Sequence, residues 1–525
     1  MNPVHKFDGG CLTDVPSIQR AVLRVNEGPA VVVCSALFGA TETLEALIET
    51  AQSGDPTGVQ AAQDTFVARH RQIADAVGAS QDELTTVIEP VGMLLAAVAQ
   101  TRLVDPRLRA RIVAAGEKLA GCLLAGALKA LGRTTVIHPA DALLSSEGAY
   151  LSATPLPTVA RRTLQAALAT DQKEGRVSIV PGSIGQGPHG ATARFGPSGA
   201  DITAMLVAEA VDAAEVILWT DADGLLTGDP TVIDDVTVIE HLHYREATEM
   251  SFYGTRQLHP RAMIPAQSAG LSVMIRNIAE PNRSGTVIDG RFSRSERPVK
   301  AVTAIHGQAL LSVEGKGMAG VTGLSGRIFT ALADAGVSAT MISQAGSESS
   351  ICLAVDKRVA ERGASAVRRA LQTELSRAEI EEVAVRRQAD LVAVIGRGMA
   401  QQPGVAAATM QALADAEINI LALAQGSSEL NITVAVDARD RAEALRQLHR
   451  TFRLHEGRRP IVVPLKAVAA TPPALRVEAS SSTVSRTTDA HQPLTSEVGA
   501  VTAFAPATVA NLGLGFDILG LALGS

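Results

Sequence analysis

The sequence predicts an α/β protein in which a wound, mostly parallel sheet is followed by two βαββαβ units. One observation is alternation: short apolar runs at 30–37, 176–181 and 215–220 alternate with helical segments such as 42–52 and 110–131. Such alternation is typical of a wound α/β sheet. The other observation is composition: 46% of residues are hydrophobic but only 3% are aromatic, which favours aliphatic helices packed on buried parallel strands.

A duplication with a spacing of 81 residues predicts the two units. Residues 313–356 and 394–437 repeat one pattern without a slip, so that Gln344 matches Gln425 and Asp356 matches Asp437. Each copy has a strand, a Gly-Met turn, a helix, two strands and a second helix. In the first copy we expect the first helix at 325–335, with Ser325 as its N-cap. Because polar loop residues and the Gly-Met turn repeat together with the apolar pattern, we expect a ligand site in two copies.

Length and composition set further expectations. A chain of 525 residues should hold about three domains. A net charge of −7, one Trp and three Tyr disfavour nucleic-acid binding. The four scattered cysteines show no metal spacing, and we see no leader or continuous membrane-length apolar run, so a cytoplasmic protein without a membrane partner is expected. The predicted segments are a first domain 1–295, two units 300–382 and 383–465, a flexible linker 466–498 and a terminal segment 499–525.

Three segments of the first domain have the residues for chemistry. Lys6 precedes paired glycines, a combination that can hold phosphate, although an ordinary turn explains it too. Residues 182–201 hold six glycines and form either a substrate-covering loop or a merely mobile one. Asp221, Asp223 and Asp229 follow a buried strand, where carboxylates can hold Mg²⁺ or nucleotide hydroxyls; a solvated turn is the alternative.

These segments occur in the same order as the motifs of aspartate kinases, which the chain resembles over residues 1–465. The duplicated units resemble the paired ACT regulatory domains of that family, and the first domain its amino-acid-kinase fold. The matching segments are VNEGPAVVVCSALFGATETL, AGEKL, LWTDADGLLTGDP, YREA, YGTRQLHP and SGTVI.

The resemblance implies an ATP-dependent aspartate kinase, which transfers the γ-phosphoryl group of MgATP to the β-carboxylate of aspartate. It implies Lys6 and Asp201 as catalytic residues. Thr41, Glu117 and Asp201 would line the aspartate site, with Glu117 at the ammonium group. The residues expected to face ATP are Lys6, Gly9, Thr220, Asp221, Asp229 and Arg256. No metal ligand set is predicted beyond the Mg²⁺ that accompanies ATP.

Several positions depart from the family's pattern. Asp8 stands where the family has glycine, Pro197 where it has an arginine, and Ala200 where it has a serine. Arg194 is a nearby cation that could replace the lost arginine. The alternative function is therefore a catalytically degraded, kinase-fold regulatory protein that senses threonine for a fused or partner homoserine kinase.

The ACT resemblance implies an amino-acid effector, threonine first and lysine second, and a homo-oligomer assembled through these domains. The expected effector-binding residues are Gln344, Ser350, Gln425 and Asn431, since side-chain amides suit amino-acid ligands. The alternative is a dimerisation module without a ligand. Residues 504–520, FAPATVANLGLGFDILG, resemble the opening of homoserine kinases of the GHMP superfamily.

Overall fold

The computed structural model describes residues 3–25, 28–254, 258–291, 297–318, 321–347, 349–400 and 402–456. They form two compact units. The first unit combines the first 307 residues with the second repeat from residue 388 onward, and the second unit is the first repeat, 308–387. Arg256, the predicted linker and the terminal segment lie outside the described residues.

An eight-stranded sheet forms the centre of the first unit, in the order β10-β12-β11-β9-β1-β2-β6-β3. Its neighbours are parallel except for the β11–β12 pair. Two small hairpins, β4–β5 and β7–β8, accompany it. The strands are β1 Val4–Phe7, β2 Ala30–Cys34, β3 Thr135–Ile137, β4 Ser146–Glu147, β5 Thr154–Pro155, β6 Val177–Pro181, β7 Ile184–Gln186, β8 Thr192–Arg194, β9 Glu215–Thr220, β10 His241–His243, β11 Ser272–Asn277 and β12 Thr286–Asp289.

The central strands are buried along nearly their whole length, which confirms the wound sheet predicted from their continuous apolar runs. All residues of β1, β2 and β6 are buried, and β9 is buried apart from its first residue. Both faces of a parallel sheet are covered by helices, so both faces select apolar side chains. The helices of this domain are α1 Val15–Val22, α2 Ala40–Ser53, α3 Pro56–Val77, α4 Gln81–Thr101, α5 Pro106–Val113, α6 Ala115–Ala130, α7 Ala140–Leu143, α8 Pro157–Glu174, α9 Gly199–Ala210, α10 Tyr244–Phe252 and α11 Met263–Ser268.

The helix predicted over 110–131 is wrong as a single element, because the chain breaks it at Ala114 into α5 and α6. The start of α6 lies close to the loop after β2: a Cβ added at Gly116 would lie 2.9 Å from Cβ of Ala36. Gly116 has no side chain, which permits this close approach. The break places Glu117 in the first turn of α6.

Among the described residues, α4 alone is long and apolar enough, by length and composition, to cross a membrane. Its buried side chains Leu84, Ile88, Leu95 and Val98 belong to the same apolar cluster as residues of α2, α3 and α6. This packing explains the apolar composition of the helix.

The two repeats keep the same internal architecture, and the boundary between the two units falls inside β13 and inside β16. In each repeat the first strand pairs antiparallel with the third, and the third with the second. Leu311 faces Leu353, and the residues 81 positions later, Val392 and Val434, face each other in the same way. The elements are β13 Ala301–Glu314, α12 Leu324–Asp334, β14 Ala339–Gln344, β15 Ser350–Asp356, α13 Ala360–Ala370, α14 Gln372–Ser376, β16 Glu382–Ile395, α15 Val405–Asp415, β17 Ala422–Gln425, β18 Asn431–Asp437 and α16 Arg441–Thr451.

The repeated glycine turns have a packing cause. A Cβ at Gly315 would lie 2.4 Å from the carbonyl oxygen of Glu379, and one at Gly396 would lie 2.1 Å from that of Pro298. In both repeats the turn therefore needs glycine where another backbone segment passes. The expectation that Ser325 caps the following helix is wrong, because Gly323, with φ +84°, is the N-cap and the helix begins at Leu324.

The second repeat shares a core and buried polar contacts with the first domain inside the first unit. Ile233 and Val299 of the first-domain region belong to the same apolar cluster as Val392, Leu445 and Phe452 of the repeat. This shared core makes the second repeat part of the first unit's folding core.

Buried polar contacts accompany this core. Glu246 is fully buried and accepts hydrogen bonds from the backbone N–H groups of His243 (2.9 Å) and Arg397 (2.7 Å) and from Nζ of Lys300 (2.9 Å). One carboxylate on α10 thus joins the first domain to the glycine turn of the second repeat.

Candidate active site

The candidate site lies at the carboxyl edge of the central sheet. The parallel strands β1, β2, β6 and β9 end there, and polar or glycine residues follow each of them: Asp8, Ser35, Gly182 and Asp221. Loops at this edge are where open α/β sheets bind ligands. The alignment of strand ends brings together residues that are more than 200 positions apart in sequence.

Lys6 and Asp201 meet at this edge, as the sequence predicts for a common site. Nζ of Lys6, which is 1% exposed, lies 2.7 Å from Oδ1 of the fully buried Asp201 and also forms an ion pair with Asp8. Burial alone lowers the pKa of Lys6, but Asp201 and Asp8 outweigh it and raise that pKa above its ordinary value. Asp201 is fixed in the first turn of α9 and accepts a hydrogen bond from the backbone N–H of His259 at 2.9 Å. The two carboxylates therefore favour the charged form of Lys6 at this edge of the sheet.

Asp8 occupies its position without backbone strain. Its φ of −72° and ψ of 159° are extended values that any residue adopts, so the absence of glycine costs nothing in backbone conformation. Its carboxylate turns towards Lys6. Asp8 thus adds a second anion beside the lysine without backbone strain.

The turn after β1 exposes bare backbone beside another carboxylate. A Cβ at Gly9 would lie 3.0 Å from the carbonyl oxygen of Ala36, and one at Gly10 would lie 3.1 Å from the carboxylate of Asp221. Cys11 closes the turn, and burial raises the pKa of its thiol to about 12, so it stays protonated. The turn can offer backbone N–H groups to an anion but has no nucleophile.

A cavity of about 530 Å³ adjoins this turn and the N-terminus of α9. On its wall, Nη2 of Arg194 lies 2.7 Å from Oε1 of Glu117. Burial raises the pKa of Glu117, and Arg194 opposes that rise. The cavity lining includes Gly9, Ser35, Thr41, Glu42, Glu45, Arg109, Glu117, Ser183, Arg194, Pro197, Ser198 and Ala200.

The Glu117–Arg194 pair keeps unused polar capacity. Oε2 of Glu117 and Nε of Arg194 are buried and have no hydrogen-bond partner among the described residues. A carboxylate oxygen can accept from an ammonium group, and a guanidinium N–H can donate to a carboxylate. The wall of the cavity therefore matches the two charged groups of an amino acid.

The predicted nucleotide-facing residues fall into different surroundings. Thr220 is buried at the end of β9, and Asp221 lies against the Gly10 turn. Asp223 is engaged by Asn277, at 2.7 Å, and by Arg283. Asp229 accepts hydrogen bonds from its own loop, at 2.9 Å from N and 2.7 Å from Oγ1 of Thr231. Asp221 is thus the carboxylate of the three that contacts the glycine turn.

The predicted effector-binding residues also separate. Gln344 lines a cavity of about 300 Å³ in the first repeat, together with Met318, Ser325 and Ile351. Ser350 is half-buried on the neighbouring strand and is not part of that lining. In the second repeat Gln425 is exposed, whereas Nδ2 of Asn431 donates a hydrogen bond to Glu249 of the first domain.

Sequence reasoning missed two groups of residues. Arg109, which pairs with Glu45 at 2.5 Å, is a second arginine on the cavity wall. Asp235, His449 and His455 lie together although no metal ligand set was predicted. Two histidines six positions apart were the available signal, but their partner is more than 200 residues away, so no local spacing reveals the set.

The fold and the site together define a kinase-type α/β domain joined to ACT-type repeats. Comparison with protein families agrees with this class. The model of the amino acid kinase family matches residues 1–277, and the ACT domain model matches residues 311–371 and 392–452. The chain belongs to the amino acid kinase family, which confirms the resemblance at the level of the family and the fold.

Two curated relatives are bifunctional enzymes that contain an aspartokinase. The chain is 30% identical over 466 residues to bifunctional aspartokinase/homoserine dehydrogenase 1, chloroplastic, of Arabidopsis thaliana, covering 86% of this chain and 51% of that protein. It is 32% identical over 360 residues to the bifunctional enzyme of Haemophilus influenzae, covering 68% of this chain and 44% of that protein. The chain thus spans about half the length of these curated relatives.

Solved structures show the same fold. E. coli aspartokinase III in complex with lysine and aspartate is 26% identical, with a TM-score of 0.65, covering 86% of this chain and 99% of that one. The same enzyme in complex with aspartate and ADP is 24% identical, with a TM-score of 0.74, covering 86% of this chain and 99% of that one.

Proposed function

We propose that this chain is an aspartate kinase, which transfers the γ-phosphoryl group of ATP to the β-carboxylate of L-aspartate. The observation on which this rests most is the Glu117–Arg194 pair in a cavity beside the Lys6–Asp201 pair. The aspartokinase names of the relatives support the choice of substrate. They also support ATP as the phosphoryl donor, because aspartokinase III was solved with ADP.

The charged wall of the cavity would bind the amino-acid end of the substrate. Glu117 would accept the ammonium group through its free Oε2, and Arg194 would donate to the α-carboxylate. Arg194 thereby supplies the cation that Pro197 lacks, from the neighbouring hairpin strand β8. With that end fixed, the β-carboxylate would extend towards Gly9 and Lys6, since the same cavity reaches the turn at Gly9.

The transfer itself needs positioning and charge stabilisation. An oxygen of the β-carboxylate attacks the γ-phosphorus, the bond to the β,γ-bridging oxygen breaks, and ADP leaves with that electron pair; no proton is transferred. Lys6 would stabilise the negative charge on the transferring group, while Asp201 holds its ammonium in place. The backbone at Gly9 and Gly10 allows close approach of phosphate. The Asp221 carboxylate beside this turn would hold the Mg²⁺ that accompanies ATP and neutralises phosphate charge.

One observation favours the second candidate, a degraded kinase that only senses amino acids. Pro197 and Ala200 line the cavity with apolar side chains, so these two positions offer the substrate no charge or hydroxyl. If Arg194 does not compensate, the protein binds amino acids without turnover. The two candidates therefore differ in whether Arg194 supports catalysis.

An acyl-phosphate assay distinguishes them. Purified protein with MgATP and aspartate should form aspartyl hydroxamate when hydroxylamine is present. Arg194→Ala should lower kcat/KM roughly 30-fold to several thousand-fold, because losing one charged clamp costs about 2–5 kcal/mol. Arg161→Ala is the matched control, since Arg161 pairs with Glu209 and Asp212 away from the cavity lining. Absence of hydroxamate with the unaltered protein would contradict the kinase and favour the sensor.

We further propose that an amino acid, threonine first and lysine second, regulates the enzyme through the Gln344 cavity of the first repeat. The lysine complex of aspartokinase III supports an amino-acid effector for proteins of this fold. A cytoplasmic homo-oligomer joined through the ACT repeats completes the proposal. Titration of the kinase reaction with threonine and with lysine tests the effector, and sedimentation at several protein concentrations tests the assembly.

A further inference from the structure

Three side chains with metal-ligating atoms meet where the end of the second repeat packs on the first domain. Nδ1 of His449 lies 3.6 Å from Oδ1 of Asp235, and Nδ1 of His455 lies 3.7 Å from Oδ2 of the same residue. The three candidate ligand atoms all lie within 4.8 Å of one another. Asp235 and His455 are partly open to solvent, at 56% and 35% side-chain exposure, so an ion can enter.

His449 gives the independent indication of a ligand. Its side chain is fully buried, yet its Nδ1 atom has no hydrogen-bond partner among the described residues. Because a buried nitrogen without a partner costs free energy, this arrangement calls for a group between Nδ1 and the Asp235 carboxylate.

The opposite ring nitrogen of His449 is already held. Its Nε2 atom lies 3.0 Å from Oγ1 of Thr227, and that oxygen also accepts from the backbone N–H of Thr237 at 3.0 Å. If Nε2–H donates to Thr227, the lone pair of Nδ1 faces Asp235. Metal-binding histidines typically have such a hydrogen bond on the second nitrogen, which fixes the tautomer and the ring orientation.

We propose that Asp235, His449 and His455 form a binding site for a divalent transition-metal cation of the Zn²⁺ class. Ligand bonds of about 2.0–2.2 Å in a tetrahedral site place neighbouring ligand atoms roughly 3.3–3.6 Å apart. The separations of 3.6 Å to Oδ1 and 3.7 Å to Oδ2 of Asp235 are close to that spacing. The other separations within the set reach at most 4.8 Å and would shorten when an ion binds. Two imidazoles and one carboxylate are a ligand set that Zn²⁺ accepts, with the fourth position left to water.

Some of the charged groups around the site favour a bound cation and others oppose it. Glu456, with a carboxylate oxygen 3.8 Å from Nε2 of His455, adds negative charge. Arg297 is an electrostatic neighbour of His449 and opposes a cation. The guanidinium of Arg297 is held by the carbonyl oxygen of Arg453 at 3.0 Å. Binding would therefore depend on bonds from the imidazole nitrogens, which suit Zn²⁺ better than Mg²⁺, an ion that prefers oxygen ligands.

The position of the site gives the metal a structural role. Asp235 lies in the loop that starts at Asp229, and His449 lies in α16, the last helix of the second repeat. A bound cation would fasten this loop to that helix inside the first unit. Stabilisation by a ligand that binds only the folded state grows as RT ln(1 + [L]/Kd), about 2.7 kcal/mol at a hundredfold excess over Kd.

The test measures metal binding to the full chain without nucleotide or Mg²⁺. Chelator-stripped protein is titrated with Zn²⁺ against a chromophoric chelator, and with Co²⁺ to record the visible absorption of a tetrahedral site. We expect one equivalent per chain and a raised thermal midpoint. Asp235→Asn and His455→Gln should each weaken binding by at least the roughly 10–100-fold that loss of an outer-sphere partner costs.

Matched controls make the result decisive. Asp234→Asn changes the neighbouring exposed carboxylate, and His306→Gln changes an exposed histidine outside the cluster. Both should bind Zn²⁺ as the unaltered chain does.

Binding that is absent, or that is equal in Asp235→Asn, His455→Gln and the controls, means an adventitious ion only and overturns the proposal. The two decisive side chains are partly exposed, so their variants should fold, and circular dichroism checks this. The readout is metal affinity, so the result is independent of kinase activity.

Discussion

The two repeats share one strand register but place equivalent residues in different surroundings. In the first repeat Gln344 is half-buried and lines a cavity, whereas its counterpart Gln425 is exposed. Ser350 of the first repeat faces the neighbouring strand position Glu314, while its counterpart Asn431 is bound to Glu249 of the first domain. The two repeats therefore share one architecture, but their equivalent polar residues make different contacts.

The apolar cores of the repeats also differ, in whether they include residues from outside the repeat. The apolar cluster of the first repeat consists only of residues from that repeat, among them Leu311, Ile328 and Leu353. The cluster of the second repeat includes Ile233 and Val299, which precede both repeats in the chain. The first repeat is thus a self-contained candidate sensor, and the second is part of the fold that holds the candidate active site.

The largest expected effect tests whether the second repeat belongs to the first domain. Glu246→Ala removes the carboxylate that Lys300, 7% exposed, and the backbone of Arg397 contact, so the free energy of unfolding of the first unit should fall by about 3–5 kcal/mol. Urea unfolding followed by far-ultraviolet circular dichroism measures it. Glu240→Ala, which alters an exposed carboxylate just before β10, is the control. A loss of less than about 1 kcal/mol would mean that the Glu246 contacts contribute little to holding the second repeat on the first domain.

The next effect compares the equivalent glutamines directly. Gln344→Ala should raise the effector concentration needed for half-inhibition by roughly 10–150-fold, because a hydrogen bond to a charged ligand group contributes about 1.5–3 kcal/mol. Gln425→Ala should change it less than about twofold, since an exposed side chain outside the cavity loses no buried contact. Inhibition of the hydroxamate reaction by threonine or lysine is the measurement. If both variants lose the same sensitivity to the effector, the two glutamines belong to equivalent binding sites.

The smallest effect is a difference in acid sensitivity between the units. Burial lowers the pKa of His5 and His70 to about 4 and also lowers that of His449, and all three belong to the first unit. The unfolded chain protonates each histidine below about pH 6.5. Their stabilising contribution is therefore complete above pH 6.5 and declines as the pH falls towards 4, by up to about 1.4 kcal/mol per pH unit for each histidine.

Residues 308–387 contain no histidine, so the first repeat should lack this decline. Urea unfolding at pH 7.0 and 5.5 measures the change, with hydrogen exchange, corrected for its chemical pH dependence, assigning each transition to a unit. A parallel loss of stability in both units over this range would contradict the assignment to buried histidines.

Much of the fold could be predicted from the sequence, because its signals are local or periodic. The apolar run 215–220 coincides with β9, and the 81-residue spacing predicts the common register of the repeats. Element ends were less accurate where packing decides them. The break at Ala114 lies beside the approach of Gly116 to Ala36, a contact between distant positions that helix propensity does not encode.

The site was partly predictable for the same reason. Lys6, Glu117 and Asp201 stand in recognisable segments, and the structure brings Lys6 and Asp201 into contact. Sequence could not show that Arg194 pairs with Glu117, because a hairpin sets that distance. It also could not show that Asn431 is hydrogen-bonded to Glu249, because the contacts of equivalent residues in two repeats depend on neighbours that are distant in sequence.

Trp219 is the only tryptophan of the chain, and it lies one residue before Thr220 at the edge of the sheet that forms the candidate site. Its indole N–H donates to Nδ1 of His5 at 3.1 Å, and its carbonyl oxygen accepts from the backbone N–H of Asp8 at 3.1 Å. The tryptophan fluorescence of the unmodified protein therefore originates at a single position, on the strand that ends at the candidate site. Its emission is a label-free signal against which ligand binding at that edge can be tested without turnover.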